Sequence, residues 1–171
     1  MKTTGIVRKL DQLGRVVIPR EYRKLYKIKI GDPLEITAME NGDIVVRKVD
    51  LSVELITNGQ PMLNALAETI GLDVAVANEE KILLATGSLK ESAGGTQFSA
   101  KTQSLIEKRR VFSGKASEID LSLAPYAAFA PVYGDDLFGA ILAFSNEPIA
   151  QNIQSYLTMT AKILGAAMQK F

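Results

Sequence analysis

The sequence predicts an α+β protein built in two parts, and three observations carry that prediction. Basic residues crowd the beginning of the chain, strand and turn chemistry fills its first fifty positions, and helical and strand-like segments alternate after residue 50. Of the 171 residues 47% are hydrophobic, as expected for a globular chain with a buried core. The net charge of +1 conceals an asymmetry. Residues 1–50 hold 11 Lys+Arg against 7 Asp+Glu, and residues 51–171 hold 9 against 12. Within residues 1–30 the count is 9 against 2, an excess of cations that suits a polyanion surface.

Cysteine and histidine are absent. Disulfides, Cys/His zinc sites, thiol nucleophiles and histidine-based catalysis are therefore excluded, and no cofactor or metal is expected. No apolar run approaches the roughly 18 residues needed to cross a bilayer, and MKTTGIVRKL does not read as a signal peptide. The expected location is the cytoplasm.

In order along the chain, residues 5–10 (GIVRKL) and 15–19 (RVVIP) read as strands. DQLG turns between them, with Gly14 free to take the left-handed conformation. Residues 20–27 read as a short basic helix. At about 100° per residue, Arg20, Arg23, Lys24 and Lys27 share one stripe and Tyr22, Leu25 and Tyr26 the other. Two turns cannot hold themselves in water, so the apolar stripe should dock on the strands and turn the cations outward. Residues 34–40 (LEITAME) alternate, with Leu34, Ile36 and Ala38 on one side. Asn41-Gly42 signals a hairpin, and DIVVRKV returns. Fifty residues are marginal for an independent core, which favours association with a second copy.

LSVELITNGQ, residues 51–60, reads as a linker, which makes residues 61–171 the second domain. PMLNALAETI (61–70) predicts a helix that begins at Pro61 and stops before Gly71. LDVAVAN and KILLATG predict two strands joined at Glu79-Glu80. SLKESAGGTQFS reads as a loop, and AKTQSLIEKRR as a helix capped by Ser99. YAAFAPVY and LFGAILAFS form a strand pair across Gly134-Asp135-Asp136. The last helix is expected from Asn146 and Pro148 to the end. Its seam of Ile153, Leu157, Thr160, Leu164, Met168 and Phe171 fits either an internal core or pairing with a second copy.

GIVRKLDQLGRVVIPREYRKLYKIKIGDPLEI resembles the swapped-hairpin DNA-binding domain of the AbrB-like transition-state regulators of spore-forming bacteria. The run LGRVVIP followed by a basic helix and GDPLEI carries the likeness. It implies an intertwined homodimer whose strands form a DNA-binding platform, with Arg8, Arg15, Arg23 and Lys24 at the positions that contact DNA. Lys9 and Arg20 extend the basic face. Where the family leads us to expect Arg, this chain has Lys24, which can neutralise a phosphate but lacks a bidentate fork. An intramolecular partner for Arg15 is also at hand in Asp11.

The second part resembles a GAF-like α/β sandwich, with PVYGDDLFGAILAFS as its late strand pair. That likeness suggests a sensor that closes the loop bearing Ser88, Thr96 and Phe98 over an unknown small molecule, or a domain used only for assembly. Together the resemblances imply a sequence-tolerant, nucleoid-associated transcription regulator, activator or repressor, tied to sporulation. It would act as a homodimer, or as a homotetramer through its C-terminal helices. The alternative from another class is an antitoxin-like DNA-binding protein whose second part binds a partner protein. Catalysis is not expected, since its best candidates, Asp135 and Asp136, sit where turn chemistry alone accounts for them.

Overall fold

The computed structural model describes residues 5–168, and the chain divides into two compact units at Asp50/Leu51. In the first unit, helix α1 (Arg20–Leu25) precedes a two-stranded antiparallel hairpin of β1 (Leu34–Ala38) and β2 (Ile44–Lys48). Leu34 pairs with Lys48 and Ala38 with Ile44. Met39 and Gly42 close the turn through a 3.0 Å backbone bond, Met39 N–H donates to the Asp43 carbonyl at 2.8 Å, and Gly42 has φ +88°. The loop is therefore the three-residue kind, a type I turn followed by a left-handed glycine.

Residues 5–10 and 15–19, expected as strands, form no ladder. Strand pairing needs a neighbour, and these segments pair with none among the described residues. No residue from 5 to 50 is buried. Val7 is 90% exposed, Val17 74% and Ile36 70%, so the alternation expected in β1 has nothing to face. The docking expected for α1 fails for the same reason: Tyr22 is half-buried, but Leu25 and Tyr26 stay exposed. The helix also stops earlier than expected, since Lys27 takes φ +52° and leaves the helical path.

The second unit opens with α2 (Ser52–Ile70), closed by Gly71. The expected linker at 51–60 is thus the first half of a long helix, and Pro61 lies inside it. Leu55, Gly59, Leu63 and Leu66 are its buried positions, an unbroken helical spacing on both sides of the proline. The polar residues that suggested a linker turn back on the helix. Thr57 Oγ1 donates to the Val53 carbonyl at 2.8 Å, and Asn58 Nδ2 to that of Glu54 at 2.9 Å.

Five antiparallel strands follow in the order β4-β3-β7-β6-β5. They are β3 (Asp73–Ala77), β4 (Ile82–Ala85), β5 (Phe112–Lys115), β6 (Tyr126–Tyr133) and β7 (Leu137–Ser145). The three inner strands, β3, β7 and β6, are apolar almost throughout because both faces of the sheet are covered. Val74, Val76, Ala128, Ala130, Ile141 and Ala143 pack with α2 and with α4 (Gln151–Met168). Ala75, Phe129, Leu142 and Phe144 pack with Phe98, Ile106 of α3 (Ala100–Glu107), Ile119 and Leu121. Each fully buried Leu, Ile or Phe contributes about 1.5–3 kcal/mol.

Ser99 caps α3 as expected, accepting from Thr102 N–H at 3.3 Å. The helix ends at Glu107, short of the expected Arg110, because Arg109 takes φ +54°. Strand β5 was not anticipated; FSGK offers four residues and a single large apolar side chain. The last helix starts at Gln151 and not at Asn146, since Pro148 keeps the residue before it out of helical geometry and Glu147 N–H donates to Ser145 Oγ. Its expected seam is core: Leu157, Leu164 and Met168 are wholly buried, and Ile153 packs against them. The exposed apolar side chains of α4 are Tyr156, Met159 and Ile163, and Phe171 lies outside the described residues.

Candidate nucleic-acid interface

The cations singled out by sequence all fall in the first unit, and its best-defined geometry is the turn between residues 11 and 15. Gly14 N–H donates to the Asp11 carbonyl at 3.1 Å, with Gly14 at φ +74°, and Asp11 N–H donates to the Arg15 carbonyl at 3.0 Å. The Asp11 side chain completes the turn. Its Oδ1 accepts from Leu13 N–H at 2.9 Å and Arg15 N–H at 2.8 Å, and its Oδ2 accepts from Arg15 Nε at 2.8 Å. The Arg15 backbone N–H, then its guanidinium, then Leu13 N–H hold the Asp11 carboxyl below the usual carboxylate range. The Arg15 side chain nevertheless remains 71% exposed. The pairing foreseen as the alternative for Arg15 is present, and it leaves the arginine at the surface.

Arg8 and Lys9 are exposed on the segment before this turn. Arg20, Arg23 and Lys24 sit on α1 at spacings that place them side by side. Arg20 and Lys24 are exposed, whereas Arg23 is half-buried and its Nε is shut off without a hydrogen-bond partner. A donor in that state costs about 1–3 kcal/mol, so the full stripe of outward cations is interrupted at Arg23. On the hairpin Arg47 pairs with Glu35 at 3.2 Å and Lys48 with Asp32 at 2.9 Å, which commits those two cations to the fold.

In the second unit the three residues suggested for a ligand are dispersed in character. Phe98 is 5% exposed within the core, Thr96 is half-buried, and Ser88 is at the surface, where its hydroxyl and N–H donate to the Asp73 carboxylate. An open depression lined by Asp73, Phe144 and Asn146, among others, contains none of them. Asp135 and Asp136 are exposed in the β6–β7 turn, with Gly134 N–H bonded to the Asp136 carbonyl at 2.9 Å. Arg109 covers the Tyr133 ring at 4.6 Å and donates to the Asp135 carbonyl at 2.8 Å, tying α3 to that turn. Among the described residues no group of three or more Asp or Glu could hold a metal ion, and no helix is long and apolar enough to cross a membrane.

Residues 7–52 match the family model described as antidote-toxin recognition MazE, bacterial antitoxin. Over 168 residues the chain is 29% identical to stage V sporulation protein T of Bacillus subtilis, covering 94% of each. Over 48 residues it is 52% identical to the transition state regulatory protein AbrB of the same organism, or 28% of this chain and 49% of that one. In three dimensions it is similar to the GAF-B domain of DevS from Mycobacterium smegmatis, with a TM-score of 0.56 at 17% identity, covering 67% of this chain and 93% of that one. This protein therefore joins a MazE/AbrB-type amino-terminal domain to a GAF-like α/β domain, and it is a homologue of stage V sporulation protein T along 94% of its length.

Proposed function

We propose that the protein is a transcription regulator that binds double-stranded DNA as a homodimer through its first fifty residues. One observation carries the reading: among its described residues the same unit exposes most of its cations and most of its large apolar side chains, and none is buried. Such a unit is half of a structure. A second copy would pair the extended segments 5–10 and 15–19, cover Val7, Val17 and Ile36, and bring two sets of Arg8, Lys9, Arg15, Arg20, Arg23 and Lys24 onto one platform. The likeness to AbrB supports the same arrangement. With a helix of only six residues and no long recognition element, phosphate contacts supply most of the affinity, and DNA shape supplies much of the selectivity. The relation to stage V sporulation protein T supports sporulation genes as the targets.

Fluorescence anisotropy of a promoter duplex across a salt series tests this reading. Binding should weaken steeply with salt, and Arg15→Ala should both raise Kd and flatten the slope of log K against log salt by about one per arginine engaged. A folded protein that fails to bind any duplex at low salt would end the proposal. Light scattering addresses assembly. A tetramer would use the exposed face of α4 at Tyr156, Met159 and Ile163, and a mass that stays dimeric at micromolar concentration removes it.

The description of the matched family model favours one second reading, an antitoxin-like regulator that also binds a partner protein. Here residues 51–168 form a unit with two apolar clusters on either side of a sheet, in contrast to the extended tail that masks a toxin. Stoichiometric co-purification with a small toxin would restore that reading.

A further inference from the structure

We propose that Asp11 is a positioning residue for DNA binding, clamping one edge of the Arg15 guanidinium so that the opposite edge is presented to the phosphate backbone. The inference rests on the reading that Arg15 contacts DNA, and it adds the residue that sets the direction of that contact. Two bonds fix the carboxylate before DNA arrives, and a third fixes the backbone that carries it. Leu13 N–H and Arg15 N–H hold Oδ1 at 2.9 and 2.8 Å, and the 3.0 Å bond from Asp11 N–H to the Arg15 carbonyl locks the two main chains together. Oδ2 is then held in place to meet Arg15 Nε, at 2.8 Å.

A guanidinium carries five N–H donors in a planar fork. Occupying Nε leaves the edge formed by the two terminal nitrogens, which matches two oxygens of a phosphate or a guanine edge. With the side chain 71% exposed, that edge is open to a polyanion. Arginine loses much rotamer freedom when it is ordered at an interface, and the clamp takes that loss during folding instead of during binding.

Charge and positioning pull in opposite directions at Asp11. Residues 1–30 hold nine cations and only two acids, and an acid beside DNA repels it. If Asp11 matters only as a charge, removing it tightens binding. If it positions Arg15, removing the clamp weakens binding in spite of the charge gained.

Asp11→Asn in the full-length chain separates the two. The Asn oxygen can still accept from Leu13 and Arg15 N–H, so the turn is kept, while its Nδ2 sets a donor against the donor Nε. Circular dichroism and light scattering check fold and assembly, and anisotropy with a labelled duplex gives Kd for the parent, Asp11→Asn, Arg15→Ala and the double variant. The expected result is a Kd raised about two- to tenfold by Asp11→Asn, an unchanged salt slope, and no further weakening in the Arg15→Ala background. Tighter or equal binding by Asp11→Asn, with Arg15→Ala still weakened, removes the role of Asp11 and leaves Arg15 as a contact. Equal weakening in both backgrounds assigns the effect to the turn and also overturns the proposal. If Arg15→Ala changes neither Kd nor slope, the contact itself is wrong, and the clamp falls with it. Should Asp11→Asn misfold, Arg15→Lys keeps the charge and Asp11's backbone bonds but has no second edge to present. It should bind more weakly at an unchanged salt slope, and affinity equal to the parent rejects the clamp.

Discussion

Arg15 and Lys24 place the same charge on very different supports. Arg15 is held at Nε by a carboxylate that the backbone itself orients, whereas Lys24 extends from a six-residue helix. As an exposed ion pair the Asp11–Arg15 contact adds little to stability. Lys24→Arg should tighten DNA binding by a few fold without changing the salt slope, since it adds a planar fork but no charge, and anisotropy measures both quantities. The clamp also has a defined pH range. The Asp11 carboxyl lies below its ordinary value, so its pairing is complete above the usual carboxylate range and fades only as pH falls through the lowered value. With no histidine in the chain, the affinity difference between the parent and Asp11→Asn should stay constant from about pH 8 to pH 5 and narrow only in more acid solution. A step near neutrality would contradict that assignment. The Asp11 pairing was legible in the sequence as an acid at hand for Arg15 across the DQLG turn. The half-buried state of Arg23 was not, because helical spacing places a residue on a face without revealing what covers the face.

At the scale of elements, two helical glycines give opposite expectations from the same substitution. A Cβ on Gly59 of α2 would meet Leu164 at 3.5 Å and Val76 at 3.6 Å, ordinary packing distances. Gly59→Ala should therefore stabilise by up to about 1 kcal/mol through helix propensity. A Cβ on Gly165 of α4 would lie 2.3 Å from the Tyr133 carbonyl oxygen, a backbone atom of β6 that cannot step aside alone. Gly165→Ala should cost about 1–3 kcal/mol as α4 is pushed off the sheet, and thermal melts of the two variants should move in opposite directions. Helix α2 shows why an element can be misread. Asn58, Gly59, Gln60 and Pro61 have linker composition, but the spacing of Leu55, Gly59, Leu63 and Leu66 runs through them and was the better guide. Strand β5 carries almost no sequence signal, and its place at the sheet edge depends on pairing Phe112 with Phe129 and Lys115 with Tyr126.

For the whole molecule, the contrast between the two units predicts how it unfolds. The second unit buries Leu55, Phe129, Leu142 and Leu164 among many others, while none of the described residues of the first is buried. Stability of the first unit should then depend on association, and its melting transition should rise with protein concentration as mass action requires. Calorimetry of the full chain over a hundredfold range of concentration checks this. A transition for residues 5–50 that does not move with concentration would show that one copy suffices.

The sequence by itself determined the two-part division near residue 50, the basic character of the first part, the Gly14 and Asn41-Gly42 turns, and the central strands of the sheet. Each of these depends on local chemistry: charge, left-handed glycine, or apolar runs long enough to be read alone. Only the tertiary structure decided that residues 51–60 are helix, that the seam of α4 faces the sheet, that FSGK is a strand, and that 5–10 and 15–19 pair with no other described segment of the same chain. Those features depend on what lies opposite a segment in space, and that is settled by packing and pairing between residues far apart along the chain.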